Sequence, residues 1–349
     1  MDEISGMAST ADTVAVVGAG NTGASWAGLF AAYGWTTRLY DVRPGAAAAA
    51  LERAAAAARF LVGKELVDPE PAERGVARLE AAETLERAVA GVTLVQECVS
   101  EDTALKREVF AAISRAAPDD ALIATGSSGL SITEIQRDAR LPGRTLAAHP
   151  YNPPHLVPLV ELAPGELTDG ATLDRARQFY LGVGKEPVLV SRDLPGYIAN
   201  RMSAALWREA IELVRSGVAT VEDVDRAICY GPGLRWAVMG PHLVYHLGGG
   251  KAGIRGHVSH LTAVKEGMLR DLATWTSFPA DTAEVLASGL EVEVDGKTLA
   301  ELELERDEAL AAVLLALRRA RRQDRPARPP KHARATRPPR QAPRQVRGT

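Results

Sequence analysis

Residues 14–34 read VAVVGAGNTGASWAGLFAAYG, and this stretch decides the fold. Residues 14–17 are Val or Ala, which is typical of a strand buried on both faces. A G-x-G-x-x-G turn follows, and an amphipathic helical pattern comes directly after it. In such a turn Gly18 permits the bend, Gly20 admits a pyrophosphate, and Gly23 lets the helix pack on the strand. The stretch therefore predicts a dinucleotide-binding unit.

The second predicted strand ends in an acid that selects the cofactor. Asp41 follows residues 36–40, at about the distance from the glycine turn expected of a ribose-binding acid. Its carboxylate would accept hydrogen bonds from the ribose 2′-OH of NAD and repel the 2′-phosphate of NADP. Arg43, two residues later, would soften that preference. We predict NAD as the cofactor, with Asn21 and Thr22 of the glycine turn also contacting it.

The composition is typical of a soluble protein with an ample core. The chain has 349 residues, 46% of them hydrophobic, and no apolar stretch is long enough to cross a bilayer. The first ten residues, MDEISGMAST, lack the basic and apolar regions of a signal peptide. The two cysteines, Cys98 and Cys229, are too few for a disulfide framework or a metal cluster. We therefore expect a cytoplasmic protein without a metal or membrane contact.

The net charge of −3 conceals an uneven distribution. Residues 318–349 contain twelve Lys or Arg and one acid, which leaves a net charge of −14 on the rest of the chain. This segment is rich in Pro, Ala and Gln and has no periodic apolar pattern, so we predict a disordered basic tail at residues 323–349. It has no interleaved aromatic residues, and we do not expect it to contact nucleic acid.

We expect two structured units after an N-terminal extension at residues 1–12. Residues 13–194 alternate strand and helix patterns, which predicts a Rossmann-type, doubly wound, mostly parallel α/β sheet. Residues 195–322 are mainly helical in periodicity, which predicts an all-helical C-terminal domain. Within the first unit, the charged residues 69–89 predict a helix.

A second informative stretch reads HPYNPPHLVPLVEL, at residues 149–162. His149 stands where a predicted strand leaves the sheet, at the edge where open α/β sheets bind ligands. Glu161 lies on the next apolar strand, where an unpaired carboxylate would be costly. The turn between the strands would bring imidazole and carboxylate together, and such a pair suits a general base. We predict that both are catalytic; a structural histidine is the alternative.

Four segments together resemble the 3-hydroxyacyl-CoA dehydrogenase superfamily over almost all of residues 14–316. They are GAGNTGASWAGLFAAYGWTTRLYD, QECVSEDTALKREVF, HPYNPPHLVPLVEL and GPGLRWAVMGP. The nearest branches are lambda-crystallin/L-gulonate 3-dehydrogenase and L-carnitine dehydrogenase. The resemblance implies NAD-dependent oxidation of a β-hydroxyl group, or the reverse reaction, by a homodimer formed through its helical domain.

The resemblance also implies the catalytic roles. His149 takes the proton of the substrate hydroxyl while hydride leaves for the nicotinamide, and Glu161 holds the ring. Ser128, in GSSGLSITEI, and Asn200, in PGYIANR, match the residues that bind the substrate oxygen. Ser127 is the alternative to Ser128 if the turn is shifted by one residue.

Two charged residues match family positions near the nicotinamide ribose. They are Glu101 and Lys106, five residues apart at a predicted helix start. The alternative is an exposed pair of charges with no part in cofactor binding.

Three residues bear on the choice of substrate. Arg235, in the turn predicted for GPGLRWAVMGP, could clamp a free carboxylate, or form a surface salt bridge. Trp236 and Tyr245 could face a quaternary ammonium group through their rings, or belong to the core. We expect a small 3-hydroxy carboxylate substrate, similar to L-carnitine or L-gulonate. Two alternatives stay open: a 3-hydroxyacyl-CoA or acyl-carrier dehydrogenase, and a non-catalytic, crystallin-like protein.

Overall fold

A computed structural model describes residues 12–323 of the chain. The predicted N-terminal extension and basic tail lie outside this range, apart from Asp12 and Gln323. Within residues 12–323, no helix combines the length and apolar character needed to span a membrane.

One eight-stranded sheet forms the centre of the first unit. Its strands are β1 (Thr13–Val17), β2 (Thr36–Tyr40), β3 (Leu79–Ala81), β4 (Leu94–Glu97), β5 (Leu122–Thr125), β6 (Thr145–Pro150), β7 (Leu159–Ala163) and β8 (Glu186–Leu189). Their spatial order is β3-β2-β1-β4-β5-β6-β7-β8, and every neighbouring pair is parallel except β6 and β7. The strand order reverses between β1 and β4, which is where such sheets bind nucleotides. The predicted doubly wound, mostly parallel sheet is confirmed.

Helices connect these strands and cover both faces of the sheet. They are α1 (Asn21–Ala32), α2 (Ala46–Gly63), α3 (Pro69–Val76), α4 (Leu85–Val89), α5 (Thr103–Ala116), α6 (Ile132–Ile135) and α7 (Gly170–Gly182). Val14 and Val16 of β1 pack in one core with Trp26 of α1, whereas Ala15 packs in a second core with Phe110 of α5. Alternate residues of a strand point to opposite faces, so the short apolar run of β1 is buried on both sides.

The prediction of one helix over residues 69–89 is wrong in the middle of that range. Helix α3 ends at Val76, strand β3 follows, and α4 begins only at Leu85. Strand β3 pairs in parallel with β2, whose outer edge would otherwise carry unpaired backbone groups. This pairing outweighs the helical preference of a charged segment, and no local pattern reveals the neighbouring strand.

Beyond the sheet, the described chain is helical, as predicted. The helices are α8 (Ala199–Arg215), α9 (Val221–Tyr230), α10 (Pro232–Val238), α11 (Pro241–Gly248), α12 (Gly253–Asp271), α13 (Thr282–Val294) and α14 (Leu299–Gln323). The turn expected around Arg235 is instead helix α10, with Pro232 at its start, where proline suits a helix. Helix α14 returns to the first unit, since Ala311 is buried in its core and Arg318 donates to the carbonyl of Leu66 at 2.6 Å.

Candidate active site

The glycine turn has the shape that a pyrophosphate requires. Gly18 has a φ of +102°, and a Cβ there would lie 2.6 Å from a backbone carbonyl after β4. A Cβ on Gly23 would lie 1.9 Å from the carbonyl oxygen of Gly18, so α1 packs directly on the turn. By contrast, the Cβ position of Gly20 has no described heavy atom within 4 Å. A ligand can therefore reach the free N–H groups where Asn21 and Thr22 open α1.

Asp41 lies beside this turn, directly after β2. Its Oδ2 accepts the N–H of Ala19 at 2.8 Å, and the Arg43 guanidinium donates to both carboxylate oxygens at 3.0 and 3.2 Å. The hydrogen bond from Arg43, together with backbone N–H groups, lowers the pKa of Asp41 to about 2. Asp41, Gly18 and Gly20 line one cavity of about 560 Å³. An ionised acid and an open glycine turn in one cavity fit the adenosine diphosphate part of NAD.

Glu101 and Lys106 contact each other but differ in exposure. The Nζ of Lys106 is buried, 2.8 Å from Oε1 of Glu97 and 3.5 Å from Oε2 of Glu101. The alternative of an exposed charge pair is therefore wrong for Lys106. Glu101 accepts the Ser127 hydroxyl at 2.5 Å and the Ser128 N–H at 3.0 Å. Burial opposes its ionisation, but the hydrogen bond from Ser127 and the charge of Lys106 lower the pKa of Glu101.

Glu97, the buried partner of Lys106, was not singled out from the sequence. The signal that could have found it is an acid at the end of a buried strand, β4, where a carboxylate without a partner would be costly. In the fold it also accepts the hydroxyl of Thr125 at 2.6 Å. Glu97 and Lys106 thus form a buried ion pair that joins the ends of β4 and β5 to α5.

The two serines after β5 differ in what their hydroxyl groups can do. Ser127 is buried, donates to Glu101, and accepts the N–H of Leu130 at 3.1 Å. The side chain of Ser128 is exposed at the same turn. Asn200, the second residue of α8, lines a separate cavity of about 620 Å³ that follows this helix. The hydroxyl of Ser128 is thus more available to a ligand than that of Ser127.

Strands β6 and β7 bring His149 directly opposite Glu161. His149 Nδ1 lies 3.0 Å from Glu161 Oε2, and both side chains are buried. The other oxygen, Oε1, accepts the N–H groups of Ile198 and Ala199 at 2.8 and 3.0 Å, where α8 begins. Burial acts to raise the pKa of Glu161, but the hydrogen bonds from His149 and the two N–H groups lower it. A carboxylate at Nδ1 holds the proton on that nitrogen, which leaves Nε2 free to accept one.

Tyr197 covers the histidine ring and was not singled out from the sequence. Its ring centroid lies 5.3 Å from that of His149, and its backbone is left-handed, with a φ of +45°. The phenol is buried and its hydroxyl has no hydrogen-bond partner among the described residues; burial raises its pKa. A strained backbone and an unpaired polar group beside the pair are typical of a functional site.

The fold places Arg235 and Trp236 apart from the cavity at Asn200. Both stand on α10, where Arg235 is exposed. Trp236 lines a second cavity of about 770 Å³, together with Lys185 and residues of α14. Neither Arg235 nor Trp236 lines the cavity that contains Asn200, although Ala199, the neighbour of Asn200 in the chain, borders the cavity of Trp236.

The sequence matches two family models that together span most of the chain. Residues 13–194 match the NAD binding domain of 3-hydroxyacyl-CoA dehydrogenase, and residues 196–284 match its C-terminal domain. The chain is 39% identical to L-carnitine dehydrogenase from Streptomyces griseus over 308 residues, 87% of this chain and 89% of that protein. It is 38% identical to L-carnitine dehydrogenase from Pseudomonas aeruginosa over 311 residues, 88% of this chain and 94% of that protein.

Solved structures agree with this assignment. The crystal structure of 5-formyl-3-hydroxy-2-methylpyridine 4-carboxylic acid 5-dehydrogenase, an NAD⁺-dependent dismutase, matches with a TM-score of 0.75 and 28% identity, over 88% of this chain and 98% of that one. 3-Hydroxybutyryl-CoA dehydrogenase from Escherichia coli K12 matches with a TM-score of 0.57 and 29% identity, over 68% of this chain and 50% of that one. The chain therefore belongs to the 3-hydroxyacyl-CoA dehydrogenase family, near the L-carnitine dehydrogenases, and is an NAD-dependent dehydrogenase that acts on a CH–OH group.

Proposed function

We propose that this enzyme oxidises the 3-hydroxyl group of L-carnitine to a ketone. The observation that carries the proposal is its similarity to L-carnitine dehydrogenases, 35–39% identical over 86–89% of the chain. These relatives favour the carnitine alternative over L-gulonate and over a CoA thioester.

The catalytic roles belong to the same proposal. His149 accepts the hydroxyl proton at Nε2, since Nδ1 is held by Glu161 at 3.0 Å. Glu161 keeps the ring in place and offsets the positive charge that it acquires. Ser128 and Asn200 hydrogen-bond the substrate oxygen and orient it. Bound NAD⁺ supplies the hydride acceptor.

Residues around the glycine turn would hold the cofactor. Asp41 would bind the adenosine ribose, and the start of α1 would bind the pyrophosphate. That Glu101 and Lys106 lie near the nicotinamide ribose stays a prediction. Glu101 is half-exposed and can accept a hydrogen bond from a ribose hydroxyl, whereas Lys106 is buried and holds Glu101 in place.

A substrate panel tests the activity. NADH formation is followed with L-carnitine, D-carnitine, L-gulonate, 3-hydroxybutyrate and 3-hydroxybutyryl-CoA. We expect kcat/KM for L-carnitine to exceed the other values by about tenfold or more, because each of them lacks a group or the configuration that the site would recognise. A preference for L-gulonate or for the CoA thioester would overturn the proposed substrate.

We further propose that the enzyme is a homodimer formed through its helical region. Helices α10 and α11 bury none of their residues, and large apolar side chains such as Leu234, Val238, Leu243 and Leu247 are more than half exposed. Apolar surface of this extent is typical of a protein interface, and the family resemblance favours a second copy as its partner. Light scattering is expected to give about twice the chain mass of 37.1 kDa, and Leu243→Glu is expected to lower it. A wild-type mass of one chain would contradict the dimer.

We also propose a cytoplasmic location. Cys98 and Cys229 are free thiols, which suits a reducing compartment. Fractionation of cells should recover the protein with a cytoplasmic marker enzyme, and recovery with the periplasm or membrane would contradict this location.

A further inference from the structure

The cavity at Asn200 lies close along the chain to residues that contact the His149–Glu161 pair, although neither side chain of the pair lines it. Glu161 accepts the N–H of Ala199, and the next residue, Asn200, lines the cavity. From there the cavity follows α8 as far as Trp207 and Arg208. With a helical rise of 1.5 Å per residue, the backbone of Trp207 lies about 10 Å along the axis from Asn200. A helical tryptophan side chain leans back toward the N-terminus of its helix, which shortens the distance to the pair.

Three aromatic side chains form the far wall of this cavity. They are Trp207 on α8, and Trp275 and Phe278 in the segment between α12 and α13. The ring of Phe278 lies 5.6 Å from that of Trp207 and 5.7 Å from that of Trp275, centroid to centroid. We call these three residues the aromatic wall.

Polar contacts with α8 hold the aromatic wall in place. Glu209 accepts the N–H of Ala273 at 2.8 Å, and Glu212 accepts the indole N–H of Trp275 at 3.1 Å. Arg208 donates to the carbonyl of Trp275 at 3.4 Å. The indole N–H is bound at the edge of the ring, so this hydrogen bond covers neither face of Trp275, and Phe278 is the aromatic neighbour of one of them. The carboxylate of Glu212 is also paired with Arg215 at 3.1 Å, so it adds little net charge beside the ring.

This combination suits a zwitterion. The faces of aromatic rings attract a quaternary ammonium group. Such a group cannot donate hydrogen bonds, so it gives up no hydrogen bonds to water when it binds. Arg201 lines the same cavity next to Asn200, where a substrate carboxylate can reach its guanidinium. A hydroxyl group held between Asn200 and His149 would then lie between an ammonium end and a carboxylate end.

The aromatic residues suggested by the sequence are less suitable. Trp236 lines the other cavity, which Ala199 also borders, together with Lys185 and residues of α14. The ring of Tyr245 is already covered by the Nζ of Lys265, 5.2 Å from its centroid, and by the ring of His257 at 4.9 Å. A cation from the substrate would have to displace these groups.

We propose that Trp207, Trp275 and Phe278 form the subsite that receives the trimethylammonium group of the substrate. The inference rests on the proposed oxidation of L-carnitine and adds the residues that select it. It assigns specificity to side chains outside the catalytic pair and outside α10.

Two variants with a matched control test the subsite. Trp207→Leu and Phe278→Leu each remove an exposed ring, and Tyr230→Leu removes an exposed ring on α9, away from the cavity. One readout is kcat/KM for L-carnitine and for 3-hydroxybutyrate, which has no ammonium group. The second readout does not depend on turnover: calorimetric binding, with NADH present, of γ-butyrobetaine and of 5,5-dimethylhexanoate. These two ligands have the same shape and differ in charge.

We expect both wall variants to lower kcat/KM for L-carnitine and the affinity for γ-butyrobetaine by about tenfold. Binding of 5,5-dimethylhexanoate and turnover of 3-hydroxybutyrate should change by less than about threefold, and Tyr230→Leu should change nothing. An equal loss of affinity for the charged and the neutral ligand would overturn the proposed subsite. So would variants whose only change is a lower dimer mass in light scattering. A wild-type enzyme that does not oxidise L-carnitine refutes the proposed function instead, which separates the two failures.

Discussion

Replacing Glu161 by glutamine is the sharpest test of the catalytic role proposed for the His149–Glu161 pair. The carboxylate serves two sets of donors at once, His149 on Oε2 and the N–H groups of Ile198 and Ala199 on Oε1. A glutamine has one oxygen, so it can face only one set. If its oxygen faces α8, its NH₂ group faces Nδ1, and the ring proton must move to Nε2, which then cannot act as a base. If the side chain is reversed, its NH₂ group meets two backbone donors at the start of α8.

Either orientation costs activity. General acid–base catalysis contributes about 10²–10⁴-fold to a rate, so we expect Glu161→Gln to lower kcat for L-carnitine by about 10²- to 10³-fold. The KM should change by less than about threefold, because the pair acts on the proton and not on the ends of the substrate. Glu73→Gln, on the exposed surface of α3, is the matched control and should be fully active. A folded Glu161→Gln enzyme that keeps kcat within about threefold of the wild type would refute the assigned mechanism.

The same substitution predicts a change in acid stability. The pKa of Glu161 lies below its ordinary value of 4.5 in the folded chain, so its ionised form stabilises the fold above about pH 4.5. That contribution is lost as the pH falls through the lower folded pKa. We expect the wild type to exceed Glu161→Gln in free energy of unfolding at pH 7, with the difference shrinking below pH 4.5. Urea unfolding of both proteins across this pH range measures the difference in free energy of unfolding. A difference that does not change with pH would contradict the lowered pKa of Glu161.

Two further predictions concern the cofactor and the buried lysine. Asp41→Ser removes the acceptor for the ribose hydroxyl groups and frees Arg43 to meet a 2′-phosphate. The ratio of kcat/KM with NADP to kcat/KM with NAD should therefore rise by about tenfold or more. Combining Asp41→Ser with Arg43→Ala should abolish this rise. Unchanged cofactor preference in steady-state assays would contradict the role of Asp41. Lys185 is buried, and its Nζ donates to the carbonyls of Pro154 and Val157; burial lowers its pKa to about 7. Between pH 7 and its ordinary pKa of 10.5 the unfolded chain binds a proton that the folded chain does not, so the wild type should gain stability with rising pH. Thermal unfolding should show a smaller gain in Lys185→Met, and an equal gain in both proteins would refute this account.

The pattern of residues 14–34 predicted a buried strand, a glycine turn and a helix, and all three are present as β1 and α1. These features are local, because the periodicity of side chains and the backbone freedom of glycine depend on few neighbours. The prediction failed at residues 69–89, where β3 pairs with β2, about 40 residues earlier in the chain. A pairing over that distance leaves no signal in the segment itself. Membership of the 3-hydroxyacyl-CoA dehydrogenase family and the use of NAD are confirmed; the roles of individual site residues stay predictions.

The sequence by itself determined the doubly wound fold, the NAD-binding turn and the candidate His149–Glu161 pair, because each depends on residue types at short, regular spacings. Only the tertiary structure decided that Lys106 is buried beside Glu97, that Tyr197 covers the histidine, and that Trp207 shares a cavity with Trp275. These contacts join residues from separate elements. Their geometry follows from how those elements pack, which the spacing of residues along one element does not contain.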